Sequence, residues 1–148
     1  MFKLYAAPRS RKIRVLVVDD HLPWVEALVA MLELDARIAV VGRAFDGVEA
    51  LELARELRPD LVLMDVHMPR MNGIAATRRL RAARDPATVL MVTSSPSAHD
   101  ILAARSAGAS GYVLKGCNPD DLVELILDAA EPADPSPPLR YRLVMSAA

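Results

Sequence analysis

The stretch LVLMDVHMPRMNG, residues 61–73, decides the fold. Its first four residues are apolar with no polar alternation, the pattern of a strand covered on both faces, as the strands of parallel sheets are. The apolar run stops at Asp65, and a segment containing Pro and Gly leads into a stretch of weaker helical period at 73–84. Upstream, IRVLVV (13–18) has the same unalternated character from Val15 to Val18 and runs into Asp19 and Asp20, and IAVVGRA (38–44) follows. Downstream lie TVLMV (88–92), followed by Thr93, and GYVLK (111–115), which ends on Lys115. Short apolar runs of this kind, rich in Val, Leu and Ile, read as strands, and the natural count is five.

Between the strands the period changes. Val25, Leu28, Val29 and Leu32 fall at i, i+3, i+4, i+7, as do Ala50, Leu53, Ala54 and Leu57, and again Leu122, Leu125, Ile126 and Ala129. These are amphipathic helices. The last opens with Asn118-Pro119-Asp120-Asp121, an N-cap, a proline at the first helical position and acids in the first turn, where the helix dipole favours them. Segment 97–107 is a weaker helix, and 73–84 is basic, with Arg78, Arg79, Arg81 and Arg84 most simply a solvated face. Five strand–helix units imply an α/β class: a parallel sheet with right-handed crossovers and helices on both faces.

At 148 residues the chain is about one domain. With 18 Lys+Arg against 19 Asp+Glu and a formal net charge of -1, it lacks the basic excess of a general nucleic-acid or membrane-surface binder. Residues 1–12 carry Lys3, Arg9, Arg11 and Lys12 and no acid, a basic extension, whereas 13–130 is acidic. Residues 131–138, EPADPSPP, read as a stiff extended linker. The expected division is therefore 1–12 extension, 13–130 folded domain, and 131–148 Pro-rich linker and tail. The final LRYRLVMSAA is too short for a core and fits a docked strand, the stump of a second domain or an added tail equally well. Cys117 is the single cysteine, so no internal disulfide forms; the start MFKLYAAPRS lacks the apolar stretch of a secretory signal, and no run is long enough to span a bilayer. The expected compartment is the cytoplasm, with no membrane partner.

In a parallel α/β sheet the strand ends that feed into helices share one edge, and ligands bind there. Asp19, Asp20 and Asp65 meet on that edge. Three clustered carboxylates repel and call for a cation, and an all-oxygen set suits Mg²⁺. The same edge receives the Thr93 hydroxyl and the Lys115 ammonium. A metal, a point cation and a donor facing one Asp describe a site for a phosphorylated carboxylate. Each residue also has a plain reading: a strand-end Asp as a helix cap, Thr93 as a turn former, Lys115 as a surface lysine. Five on one edge are harder to dismiss than any one.

Read together, VLVVDDH, LVLMDVHMPRMNG, MVTSS and GASGYVLKG resemble the receiver domain of two-component response regulators, nearest to the NarL/FixJ-like group, whose receivers precede a helix-turn-helix output domain. The resemblance covers 13–130 and implies the flavodoxin-like receiver fold with strand order 2-1-3-4-5. By the same resemblance Asp65 is the phosphoacceptor. Asp20 ligates Mg²⁺ directly and Asp19 through water, with the backbone carbonyl of His67 as a further ligand. Thr93 bonds the phosphoryl group, Lys115 pairs with it, and Tyr112 is the aromatic whose rotamer follows the switch. Met68-Pro69 and Gly73 shape the loop after Asp65. The partners implied are a sensor histidine kinase or phosphotransfer protein, a second copy in a homodimer, and DNA only through an output domain. The domain is then no enzyme in the usual sense, but a phosphoacceptor with Mg²⁺-dependent self-phosphorylation and self-dephosphorylation. Two departures stand out: Gly116 follows Lys115 where many receivers have proline, and no helix-turn-helix follows the linker.

Two other functions compete. An aspartate-nucleophile phosphatase similar to the haloacid dehalogenase group would want a second Asp two residues after the first, where this chain has His67. A receiver-like scaffold acting without phosphorylation would have no need of the five site residues. His21, His67, His99 and Cys117 lack zinc spacing. Cys117 precedes a helix N-terminus, which lowers a thiol pKa, but reads more simply as a partly buried packing residue, as do Trp24, Met64 and Met91.

Overall fold

The computed structural model describes residues 11–94, 97–130 and 142–144. Along the chain run β1 (Ile13–Val18), α1 (Leu22–Leu32), β2 (Ile38–Ala44), α2 (Gly47–Leu57), β3 (Leu61–Asp65), α3 (Gly73–Ala82), β4 (Thr88–Thr93), α4 (Ala98–Ala107), β5 (Gly111–Leu114), α5 (Pro119–Ala129) and β6 (Arg142–Val144). The sheet is parallel throughout, in the order β2-β1-β3-β4-β5-β6. Its first five strands take the order 2-1-3-4-5 that the resemblance implies, and β1, β3 and β4 lie inside it.

β6 joins the five expected strands. Arg142–Val144 pairs with Gly111–Val113 and so occupies an edge of β5 whose backbone N–H and C=O groups would otherwise be unpaired. Of the readings open for the final ten residues, this pairing is that of a docked strand. Residues 131–141, which hold the expected linker, and the extension at 1–10 lie outside the described residues.

The absence of alternation in β1, β3 and β4 has its expected cause. Val15, Val17, Leu61, Leu63, Leu90 and Val92 face one core, against Val25, Leu28, Val29 and Leu32 of α1 and Leu122, Leu125 and Ile126 of α5. Leu16, Val18, Val62, Met64, Val89 and Met91 face the other, against α2, α3 and α4. From Val15 to Val18, Leu61 to Met64 and Val89 to Val92 every side chain is therefore inside, and the polar groups of these strands lie at their ends. Among the described residues no helix is long and apolar enough to cross a membrane.

The expected Arg face of α3 is only partly solvated. Arg78, Arg79 and Arg84 are exposed, but Arg81 folds back to donate to the carbonyls of Asp85 and Ala87. Burial pulls its pKa below the usual value, with Asp85 opposing. The stem of Arg81 also supports the end of α4, where Gly108 takes a left-handed φ of 104° and a Cβ would come within 2.6 Å of the Arg81 Cγ. Both the backbone and the space at Gly108 exclude a side chain. Gly108→Ala should cost about 1–2 kcal/mol, seen as a lower urea midpoint with an unchanged m-value; an unshifted midpoint would show that α4 ends by another means.

Candidate functional site

Parallel registry brings the strand ends to one edge. Val18 pairs with Met64, Asp65 with Val92, and Thr93 with Leu114. The residues that follow Val18 and Leu114, together with Asp65 and Thr93, therefore share that edge. The Asp19, Asp20 and Asp65 carboxylates each bring an oxygen to within 4.8 Å of the other two. Asp19 is wholly buried, Asp65 nearly so, and Asp20 is exposed.

The charges are unequally compensated. Asp19 accepts from the His21 backbone N–H at 2.8 Å and sits 2.6 Å from the Lys115 Nζ. The same ammonium is 3.9 Å from Asp65. One cation thus faces three carboxylates and leans toward Asp19. Burial first, and then the Asp19 charge, push the Asp65 carboxyl up from its ordinary 3.8 to about 6; Asp20 adds to the rise, while Lys115 and the Val66 N–H oppose it. Thr93 is buried at the end of β4, and its carbonyl accepts from the Lys115 N–H at 2.9 Å. Tyr112 is fully buried on β5, with its phenol pKa raised by burial and by the Asp100 and Asp65 charges and lowered by a hydrogen bond with Thr93.

The loops around these groups are held by local chemistry. Pro23 lies in the first turn of α1, two residues after the N-cap His21, and the Asn72 side chain caps α3 by accepting from the Ala75 N–H. A Cβ on Gly73 would overlap the Asp65 carbonyl oxygen, so only glycine lets α3 begin directly beside the carboxylate's own backbone. Arg70, at a left-handed φ of 67°, turns its guanidinium onto the buried Asp46, 3.1 Å away, and Asp46 caps α2 through the Glu49 N–H. Asp46 and Glu49 stand at the spacing of a capping box. His67 sends its side chain outward, its Nε2 lying 3.2 Å from Asp100 in the first turn of α4. Trp24 is more than a packing residue: the Lys115 ammonium stands 4.6 Å over its ring. Nothing in the spacing of 24 and 115 could have disclosed that contact. Cys117 is half-buried, and burial together with Asp121 raises its thiol pKa, so the helix N-terminus does not prevail there.

An all-oxygen, negatively charged, part-dry pocket with a nearly buried carboxylate short of partners fits a hard divalent cation such as Mg²⁺. The donor set lacks the sulfur and imidazole that would favour zinc.

Comparison with known proteins shows the family. Residues 15–127 match the response regulator receiver domain family. The chain is 35% identical over 127 residues to a probable transcriptional regulatory protein NarL of Mycobacterium tuberculosis, covering 86% of this chain and 59% of that protein. It is 36% identical over 124 residues to the nitrate/nitrite response regulator NarP of Escherichia coli, covering 84% and 58%. This chain thus spans less than two thirds of the length of either relative. Among solved structures, the signal receiver domain of the putative response regulator NarL from Mycobacterium tuberculosis superposes with a TM-score of 0.79 at 36% identity, over 82% of this chain and 98% of that one.

The raised Asp65 carboxyl predicts a pH dependence in metal-free protein. Between pH 3.8 and about 6 the folded state keeps a proton that the unfolded chain has released, so stability falls as pH rises through that window. Asp65→Asn should remove this slope and stabilise the metal-free fold at pH 7 by about 1 kcal/mol, after allowance for water at the site. Urea unfolding from pH 4 to 7 checks it; an equal slope in both proteins would refute the account.

Proposed function

This chain belongs to the response regulator receiver family, of the NarL type, and we propose that it is a phosphorylation-switched signalling domain whose acceptor is Asp65. The observation that carries this reading is the imbalance at the strand ends: three carboxylates, one ammonium, and a buried Asp65 short of partners.

In the proposed reaction a carboxylate oxygen of Asp65 attacks the phosphorus of a phosphohistidine on a sensor kinase or phosphotransfer protein. The P–O bond forms as the P–N bond breaks, and the imidazole departs. Asp20, Asp19 through water, and the His67 carbonyl would hold Mg²⁺, which when bound neutralises the repulsion between the carboxylates and the incoming phosphoryl oxygens. Small phosphodonors would serve by the same attack, and water would later cleave the acyl phosphate, so the domain times its own signal. Lys115 would exchange its carboxylate partners for the new dianion, and Thr93 would donate its hydroxyl to it.

The message would leave through α4, β5 and α5. Supporting this route, α4 buries only alanines, Ala104 and Ala107, whereas α3 buries Ile74 and Leu80. Leu102 of α4 is exposed. A helix anchored by so little apolar surface shifts at low cost, and Thr93 and Tyr112 lie between it and Asp65. Cytoplasmic placement, a homodimer and a DNA-binding output beyond this domain fit the same reading; the two curated relatives are named as regulators of transcription or of the response to nitrate and nitrite.

Acetyl phosphate should label the protein only with Mg²⁺ present, and Asp65→Asn should abolish the label; labelling that survives the substitution or a chelator would overturn the assignment. Separately, Thr93→Ala and Lys115→Ala should still accept phosphate while losing about 1–3 kcal/mol of the conformational shift. Amide hydrogen exchange around Tyr112 and α4, with and without beryllofluoride, reads that loss. A parent-like response in both variants would refute the route.

A further inference from the structure

Lys115 follows the four-residue β5, its backbone N–H held by the Thr93 carbonyl, and precedes Gly116. The side chain is only 16% exposed and well placed, its Nζ 2.6 Å from Asp19 and 3.9 Å from Asp65. The group that faces it from the other side is the indole of Trp24, in the first turn of α1, with the ammonium 4.6 Å from the ring centroid. Both residues line a cavity of about 190 Å³, together with Leu28, Met31, Cys117 and Leu122 among others. The cavity gives the lysine stem room to swing away from the carboxylates, and the indole stands at that opening. An aromatic face attracts the ammonium without neutralising it, so it can hold the cation in place and still leave its charge for an anion. A carboxylate at the same place would compete with the phosphoryl group.

We propose that Trp24 is a positioning residue for Lys115: its ring face holds the ammonium at the carboxylate cluster, ready for transfer to the phosphoryl oxygens on Asp65. This inference rests on the function proposed above and deepens it. Trp24 is the sole tryptophan of the chain, so its emission reports on this contact alone.

The test is beryllofluoride binding to the full chain at saturating Mg²⁺, followed by ¹⁹F NMR and by tryptophan emission excited at 295 nm. Trp24→Leu, which keeps an apolar side chain and loses the ring, should weaken binding about 3- to 10-fold, the range expected of one cation–π contact. Trp24→Phe, which keeps an aromatic face, should recover most of that loss. In a Lys115→Ala background Trp24→Leu should change nothing further, whereas a purely structural role would cost the same in both backgrounds. In the parent, binding should change Trp24 emission, and in Lys115→Ala it should not. Urea unfolding of each variant confirms that binding is measured on folded protein; Trp24→Phe carries the test if Trp24→Leu does not fold, through its smaller loss and the same Lys115 dependence. If the parent fails to bind beryllofluoride at all, the receiver function itself is wrong. If it binds, yet the Trp24 variants bind as tightly, or the loss persists without Lys115, or the emission is unchanged, only the role of Trp24 is overturned.

Discussion

Burying carboxylates at the end of a sheet that has no exposed face is the constraint on which this site depends. Both faces of β1, β3 and β4 are filled with apolar side chains, so polar groups are confined to the strand ends, and there Asp19 and Asp65 are almost wholly removed from water. An unpaired buried carboxylate is costly enough that a protein normally supplies a cation or several N–H donors. Here one lysine and one backbone N–H go to Asp19, and Asp65 is left short. The shortage is local and chemical, and it is what makes the edge receptive to added positive charge.

The loops around the edge are joined to their neighbours on both sides. Loops β2–α2 and β3–α3 are braced against each other by the Arg70–Asp46 pair and by the Gly47 N–H bonding the Met71 carbonyl at 3.0 Å. Toward α4 the β3–α3 loop makes the His67–Asp100 side-chain contact at 3.2 Å, whose imidazole is as exposed as the Arg70 guanidinium.

Much of this was legible in the sequence because the strands are doubly covered. A strand with no polar alternation can be placed nowhere but inside, which places β1, β3 and β4, and the Asp, Asp, Thr and Lys that follow or close β1, β3, β4 and β5 mark the edge. What was not legible depends on contacts between residues distant in the chain. α4 shows a weak period because it buries alanines, which differ little from its exposed positions in hydropathy. β6 is three residues long. Arg81 reads as one of four similar arginines until the turn after α3 brings two carbonyls to it. Trp24 and Lys115 are ninety-one positions apart, and only the crossing of α1 over the end of β5 joins them.

The three carboxylates are chemically alike, and their surroundings divide the work among them. Asp19 accepts an N–H bond and pairs with the ammonium at 2.6 Å, so its oxygens are committed, and its complete burial gives an electrophile no approach. Asp20 is exposed and solvated, which suits a metal ligand that exchanges with water but weakens a nucleophile. Asp65 combines a desolvated carboxylate, a long 3.9 Å contact to the cation and a residual opening to solvent. A desolvated anion with few hydrogen bonds is the more reactive one, and at neutral pH a carboxyl that titrates near 6 is still mostly ionised. On the function proposed above, the same sheet edge would hold one carboxylate as an anchor, one as a water-accessible ligand and one as the group that forms the bond.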